Sequence, residues 1–224
     1  MSETIRVCLD VSPPPKTTTE RLALINGYKW NSGDAIRIRF LDGNAAQHAK
    51  VKQYAQEWTQ FANLKLFFDN SANADVRISF VTDGSWSTLG TNCHSVPAGK
   101  ATMNYGWLDA DVTDDEARRV VLHEFGHALG FIHEHQNPTG GIQWNKPAVY
   151  AYYGGPPNNW STEKVDHNIF KAYEASLTSY SATDRESIMM YPIPKAFTTN
   201  NYEVGLNTAL SAMDKEFVGK MYPF

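Results

Sequence analysis

The chain has 224 residues, with 20 Lys+Arg against 24 Asp+Glu, a net charge of −4, two Cys and an apolar fraction of 42%. A chain of this length makes one domain, or one domain with two lobes, and buries a real core without disulfide staples. No run approaches the ~18 apolar residues of a membrane span, and a mildly acidic balance without a basic run argues against nucleic acid as the partner.

The start, Met1-Ser2-Glu3-Thr4-Ile5-Arg6, lacks a basic stretch followed by a greasy one, so no signal peptide is visible. The compartment stays open between cytoplasmic and secreted by a route not evident in the chain. Cys8 and Cys93 are either one bridge or two free thiols. Residues Val11 to Thr19 contain Pro13-Pro14-Pro15 and read as an extended linker, because successive prolines fix φ and remove donors. This gives an N-terminal extension over 1–27 and a single domain over 28–224.

Ala35 to Leu41 alternates apolar and charged residues, as a half-buried strand does. Asp42-Gly43-Asn44 is a turn. Gln47 to Ala62 reads as an amphipathic helix with Val51, Tyr54, Ala55, Trp58 and Phe61 on one face. Leu64–Phe68, Asp75–Val81 and Lys100–Trp107 read as further strands. A second helix starts at Thr113, with Glu116 at the capping-box position and Asp114, Asp115 and Glu116 at the positive end of the dipole. Gly130 stops it. Residues 137–160, rich in Gly, Pro, Asn and aromatics, read as irregular, with a short helix near 162–174 and a last one from Ser211 to Met221.

The chemistry is concentrated in His123-Glu124-Phe125-Gly126-His127-Ala128-Leu129-Gly130-Phe131-Ile132-His133-Glu134. His123 and His127 are one helical turn apart on one face and can share a tetrahedral ion. Glu124 flanks the same site, which suits a base that takes a proton from water beside the metal. A straight helix would carry position 133 about 15 Å along the axis from position 123, too far to share one zinc. The break at Gly130 lets His133 return as the third ligand. Three protein ligands leave a position open, as catalytic zinc sites do. The five-residue HExxH pattern alone arises by chance on ordinary helices; Gly130 and His133 at the right offsets make coincidence a poor account.

Downstream lies Ser187-Ile188-Met189-Met190-Tyr191-Pro192. Together the two motifs resemble those of the metzincin zinc endopeptidases, most closely the astacin-like branch. Met189 matches the methionine of the turn beneath the zinc. Tyr191 matches a tyrosine that in the astacin and serralysin branches is a weak zinc ligand and swings to hydrogen-bond the reaction intermediate. Glu134 matches the residue that marks astacins. Trp86-Ser87 with Leu89-Gly90 resembles astacins loosely, whereas Phe125 to Gly130 and Ala74 to Phe80 look equally like matrixins. Two cysteines cannot supply the two disulfides usual in astacins, and His135-Gln136-Asn137-Pro138 stands where an Arg and acidic cluster is usual.

The resemblance implies an α+β fold: a two-lobed catalytic domain with a twisted mixed sheet and two long helices above a loop-rich C-terminal lobe. The upper lobe would end near 130 and the lower cover 131–224, with the last helix packed behind the lower lobe. It implies one catalytic Zn2+ on His123, His127 and His133, with Tyr191 as a further ligand and Met189 beneath the metal. It also implies a zinc-dependent endopeptidase in which Glu124 is the general base and Tyr191 stabilises the oxyanion. A catalytically silent zinc-binding module, or an amide hydrolase acting on a non-protein substrate such as peptidoglycan, are the alternatives. The partner is a peptide or protein substrate, laid beside an edge strand expected at Thr102–Gly106, with no nucleic acid, no membrane and a monomeric state.

Other candidates have plainer readings. Met190 reads as core filler, and His48, His94 and His167 as structural or exposed. Glu134 reads as pairing with an N-terminal group or a backbone donor, and His135 as supporting or surface. Tyr150, Tyr152, Tyr153 and Trp160 either line the cleft or, more simply, form the core of the loop-rich lobe. Cys8 could occupy the open zinc position and keep the enzyme latent, as in matrixin propeptides, although the segment lacks their fuller motif; a bridge to Cys93 or a buried thiol is plainer.

Overall fold

A computed structural model describes residues 7–10, 27–81, 84–109, 111–137, 140–156, 158–171 and 183–224. The linker expected over 11–19 lies outside the described residues. Six strands form one mixed sheet: β1 (Leu9–Asp10), β2 (Ala35–Phe40), β3 (Lys65–Phe68), β4 (Val76–Ser79), β5 (Trp86–Ser87) and β6 (Met103–Asn104), in the order β1-β5-β6-β4-β2-β3. β3, β2, β4 and β6 are parallel, β5 runs against β6, and β1 runs parallel to β5.

β2 follows its sequence pattern, with Ile36 and Ile38 buried and Arg37 exposed. The strand expected over 100–107 is only Met103–Asn104, and β5 covers it. The substrate-binding edge expected at Thr102–Gly106 is therefore internal. The outer strand of the domain on that side is β5, and the N-terminal segment adds to it as β1.

Helix α1 (Ala45–Ala55) begins two residues earlier than expected and ends sooner. Asn44 and Gln47 form a reciprocal cap that periodicity does not reveal, with Gln47 N donating to Asn44 Oδ1 at 3.0 Å and Asn44 N to Gln47 Oε1 at 2.8 Å. A 3₁₀ turn at Trp58–Gln60 then carries Trp58 into the core. Helix α2 (Asp114–Ala128) matches expectation, but its capping box is half made. Thr113 accepts from Glu116 N, whereas the Glu116 carboxylate is committed to Arg119 at 2.7 Å and to Trp107 at 2.9 Å.

Residues 137–160 are less irregular than their composition suggests. Helix α3 (Lys146–Gly154) lies there, with Pro147 in the first turn, where no intrahelical donor is lost. Where a helix is expected near 162–174, the described residues form a single turn, α4 (Thr162–Val165), running into a π-helical turn at Asp166–Phe170, and residues 172–174 lie outside the described residues. The last helix, α5 (Ala212–Met221), starts at a complete Ser211–Asp214 capping box.

Two apolar cores result. One joins the sheet, α1 and α2, and takes in Ile188, Met189, Leu210, Val218 and Tyr222. The other gathers Val149, Tyr153, Val165, Ile169, Met190, Tyr191, Ile193, Phe197 and Val204, together with Val7. α5 thus packs its buried residues into the first core, not behind the loop-rich lobe. No described helix is long and apolar enough to cross a membrane.

Candidate active site

α2 places His123 and His127 on its buried face. Its C-terminus is a Schellman motif: Phe131 N bonds Gly126 O at 3.0 Å and Gly130 N bonds His127 O at 2.8 Å, with Gly130 at φ +97°. A side chain is strained at that φ, so the glycine is what turns the chain and returns His133 to its partners. Two carbonyls left over at the helix end are capped by side chains from distant parts of the chain. Trp30 Nε1 donates to Ala128 O at 2.8 Å and Tyr222 Oη to Leu129 O at 2.6 Å.

His123, His127 and His133 come together as one buried cluster, their ligand atoms all within 4.8 Å of one another. The facing Nε2 atoms of His127 and His133 are 3.1 Å apart. Two ligands of a tetrahedral zinc at ordinary Zn–N lengths lie about 3.3 Å apart. Nδ1 of His123 donates to Ile188 O and Nδ1 of His127 to Phe131 O, each at 2.8 Å. Those bonds fix the tautomer that leaves each Nε2 lone pair free for a metal. His123 Nε2 is buried with no hydrogen-bond partner among the described residues. Burial lowers the basicity of His123 and His133 well below that of free imidazole, which keeps the rings neutral as ligands must be. The donor set fits one zinc ion.

Glu124 is fully buried, and burial pushes its carboxyl up to about 8 against the opposing pull of the Cys8 thiol and the Arg119 guanidinium. The Cys8 thiol lies beside it, too loosely to satisfy it: neither Glu124 oxygen has a well-formed hydrogen bond. A buried carboxyl with that proton affinity can take up and release a proton near neutral pH.

Met189 sits under the zinc helix. A Cβ on Gly126 would meet Met189 Sδ at 2.2 Å, so the methionine side chain lies in the space left by the missing side chain at residue 126. Gly126 is a site residue the sequence reading did not single out, since its φ is ordinary and only the packing partner reveals it. The turn is pinned from behind by Asp214, which accepts from Ser187 Oγ at 2.7 Å, Ile188 N at 2.8 Å and Ser211 N at 2.9 Å. One carboxylate therefore caps α5 and holds the backbone N–H of Ile188, the residue whose carbonyl orients His123.

Tyr191 is buried, with its ring 4.4 Å from that of His133 and 4.3 Å from that of His135. Its hydroxyl donates to the backbone carbonyl of Cys8. His135 is buried too, with Nε2 at 2.9 Å from Asn168 O. Glu134 accepts from Asp184 N at 3.0 Å and Asn137 Nδ2 at 3.2 Å, the backbone-donor role expected of it, and burial raises its carboxyl to about 7. Cys8 and Cys93 are separate free thiols, both buried, so no bridge joins them. Tyr153 is buried in the second core and stacks on Trp160 at 4.8 Å; Tyr150, Tyr152 and Trp160 are partly buried and pack against that core.

The family model for the astacin peptidases matches residues 25–223. The chain belongs to the astacin family. That family is one of zinc metallopeptidases, and His123, His127 and His133 are positioned to hold one zinc ion.

A solved structure of myroilysin is 47% identical, with a TM-score of 0.87, covering 90% of this chain and 98% of that one. A second myroilysin structure, 46% identical with a TM-score of 0.73, covers 99% of this chain and 93% of that one. High choriolytic enzyme 1, a hatching enzyme zinc-protease from the medaka fish Oryzias latipes, shares the fold at 16% identity and a TM-score of 0.62, over 88% of this chain and 95% of that one. Serralysin B of Dickeya chrysanthemi is 32% identical over 119 residues, 47% of this chain and 24% of that protein. A bone morphogenetic protein 1 homolog of Strongylocentrotus purpuratus is 28% identical over 114 residues, 47% of this chain and 16% of that protein. The matched region thus spans a quarter or less of these two relatives.

Proposed function

We propose that the chain is a zinc endopeptidase acting on peptides or proteins, with residues 28–224 as a single catalytic domain, an upper lobe to about 130 and a lower lobe after it. The observation that carries this reading is the buried, unsatisfied Glu124 carboxylate beside a three-histidine cluster whose tautomers are fixed from outside. When bound, zinc lowers the pKa of its water to about 7 and polarises the scissile carbonyl. Glu124 accepts the proton of the attacking water and returns it to the leaving amine. Tyr191 gives up Cys8 O and donates its hydroxyl to the developing oxyanion. Met189 supports the ligand platform without binding the metal. Glu124 also argues against a silent binding module, which has no use for a base.

The same geometry favours a latent state. Residues 7–10 lie along β5, where Leu9 N donates to Ser85 O at 2.9 Å, while Cys8 faces Glu124 and holds the Tyr191 hydroxyl. Substrate needs all three places, so this segment must leave before catalysis. A casein or quenched-peptide assay with and without chelator tests the activity; hydrolysis that survives metal removal refutes a zinc mechanism. Latency is tested by comparing Cys8→Ser with the parent chain. Unchanged basal activity, with no burst on thiol modification, would sink it.

A further inference from the structure

We propose that His135 is a positioning residue for Tyr191: its imidazole, held by the backbone of the turn at 166–170, is a wall that keeps the phenol aimed at the reacting centre. The proposal rests on the peptidase reading and adds a part that this chain supplies from its own sequence. His135-Gln136-Asn137-Pro138 stands where an Arg and acidic cluster is usual.

The rings of His133, His135 and Tyr191 pack as a triangle. Centroids are 4.4 Å apart for His133 and Tyr191, 4.3 Å for His135 and Tyr191, and 5.3 Å for the two histidines. His133 meets the phenol ring steeply, at 63°, whereas His135 lies more nearly face to face with it, at 31°. Tyr191 thus stands in a corner between two imidazoles. Aromatic pairs keep their centroids about 4.5–7 Å apart, so neither wall leaves room for the phenol to tilt into it. A phenol that gives up Cys8 O is guided along the walls.

The two walls are fixed by different means. His133 is a zinc ligand in the proposed mechanism and is anchored by the metal. His135 needs an anchor of its own. Its Nε2 donates to Asn168 O at 2.9 Å, and Trp144 stands edge-on to it with centroids 6.3 Å apart. Gln136 repeats the arrangement, with Nε2 donating to His167 O at 3.2 Å. Both carbonyls belong to the π-helical turn at Asp166–Phe170, and carbonyls at a helix end need acceptor partners from outside the helix. Asn168 is tied in turn, with Nδ2 donating to Lys164 O at 2.9 Å. From the other side, Glu134 N donates to Met189 O at 3.0 Å and joins this stretch to the turn that carries Tyr191. A phenyl ring would fill the same buried space, but only a ring with a donor is locked in rotation by Asn168 O.

The test uses the full, zinc-loaded chain as parent, His135→Ala, His135→Phe, Tyr191→Phe and the double variant of His135→Ala with Tyr191→Phe. The flip rate of the Tyr191 ring is read by NMR with isotope-labelled tyrosine, Tyr191→Phe assigning the signal. kcat and KM are read on a quenched peptide after thiol modification. In His135→Ala the ring should flip about tenfold faster or more, because a packed wall has been removed. There kcat should fall about tenfold, with KM and the zinc equivalent unchanged, and in His135→Phe, which keeps a ring, no more than about threefold. The double variant should be no slower than Tyr191→Phe alone, because His135 acts through the phenol.

An unchanged flip rate in His135→Ala, or a faster flip with kcat unchanged, overturns the positioning role and leaves the peptidase reading standing. So does a His135→Phe protein as impaired as His135→Ala, or a loss from His135→Ala that persists in full beside Tyr191→Phe, since either would mark His135 as structural. No hydrolysis by the parent, with zinc bound and the thiols modified, overturns the peptidase reading and the positioning role with it.

Discussion

The two cores of this protein are built differently, and the site lies on the seam between them. The first is a layered core: a sheet, two helices, and the C-terminal helix laid against them. The second has little regular structure and is held by aromatic and aliphatic packing, with Tyr153 stacked on Trp160 and ringed by Phe197 and Tyr152. Two pairs of neighbouring residues cross the seam. Met189 belongs to the first core and Met190 to the second, and Cys8 and Val7 divide in the same way. The helix of the layered core carries His123, Glu124 and His127, whereas Tyr191 belongs to the second core.

The largest expected break is chemical. Glu124→Ala should lose peptide hydrolysis by about 10³-fold or more while zinc stays near one equivalent by metal analysis; hydrolysis near the parent rate would remove Glu124 as the base. His127→Ala, in the same assays, should lose the metal as well.

Next is the tie between last helix and methionine turn. Asp214→Ala strands three buried donors and should cost about 3 kcal/mol in denaturant unfolding. It also frees Ile188, whose carbonyl orients His123, so zinc affinity should fall about 10- to 100-fold in a chelator competition. Normal zinc affinity in a destabilised protein would show that α5 supports the first core alone.

Gly126→Ala should cost about 1–3 kcal/mol, because the added Cβ would meet Met189 Sδ at 2.2 Å and force that buried side chain to repack. A melt like the parent's would mean that the turn is softer than the layered core. The smallest effect is expected of Tyr222→Phe, which removes one helix-end cap on Leu129 O and should cost about 1 kcal/mol in the same unfolding measurement, with activity unchanged.

Much of the first core was legible in the sequence. The alternation in β2, the Thr113 start, the Gly130 stop and the Ser211–Asp214 cap each leave a local mark, because hydrogen bonds and backbone angles are decided by near neighbours. The zinc-ligand spacing is of the same kind, since one helix and one glycine set it. The edges of the sheet were not legible. Two-residue strands such as β5 and β6 are too short to show a period, and a partner elsewhere in the chain makes them strands. α3 was hidden by a composition that reads as loop, and its buried Val149 and Tyr153 show that packing rather than propensity holds it.

What the sequence determined by itself was the spacing of the three histidines and of Glu124, and the helix that carries most of them, because those offsets are fixed within one turn or one cap. Tertiary structure alone decided which strand lies at the cleft, that Cys8 and Cys93 stay apart, and that Gly126 is the floor on which Met189 rests. It also decided that α5 reaches across to hold His123 through Asp214 and Ile188. Those outcomes depend on contacts between residues far apart in the chain, and no local pattern encodes such a contact until the two surfaces meet.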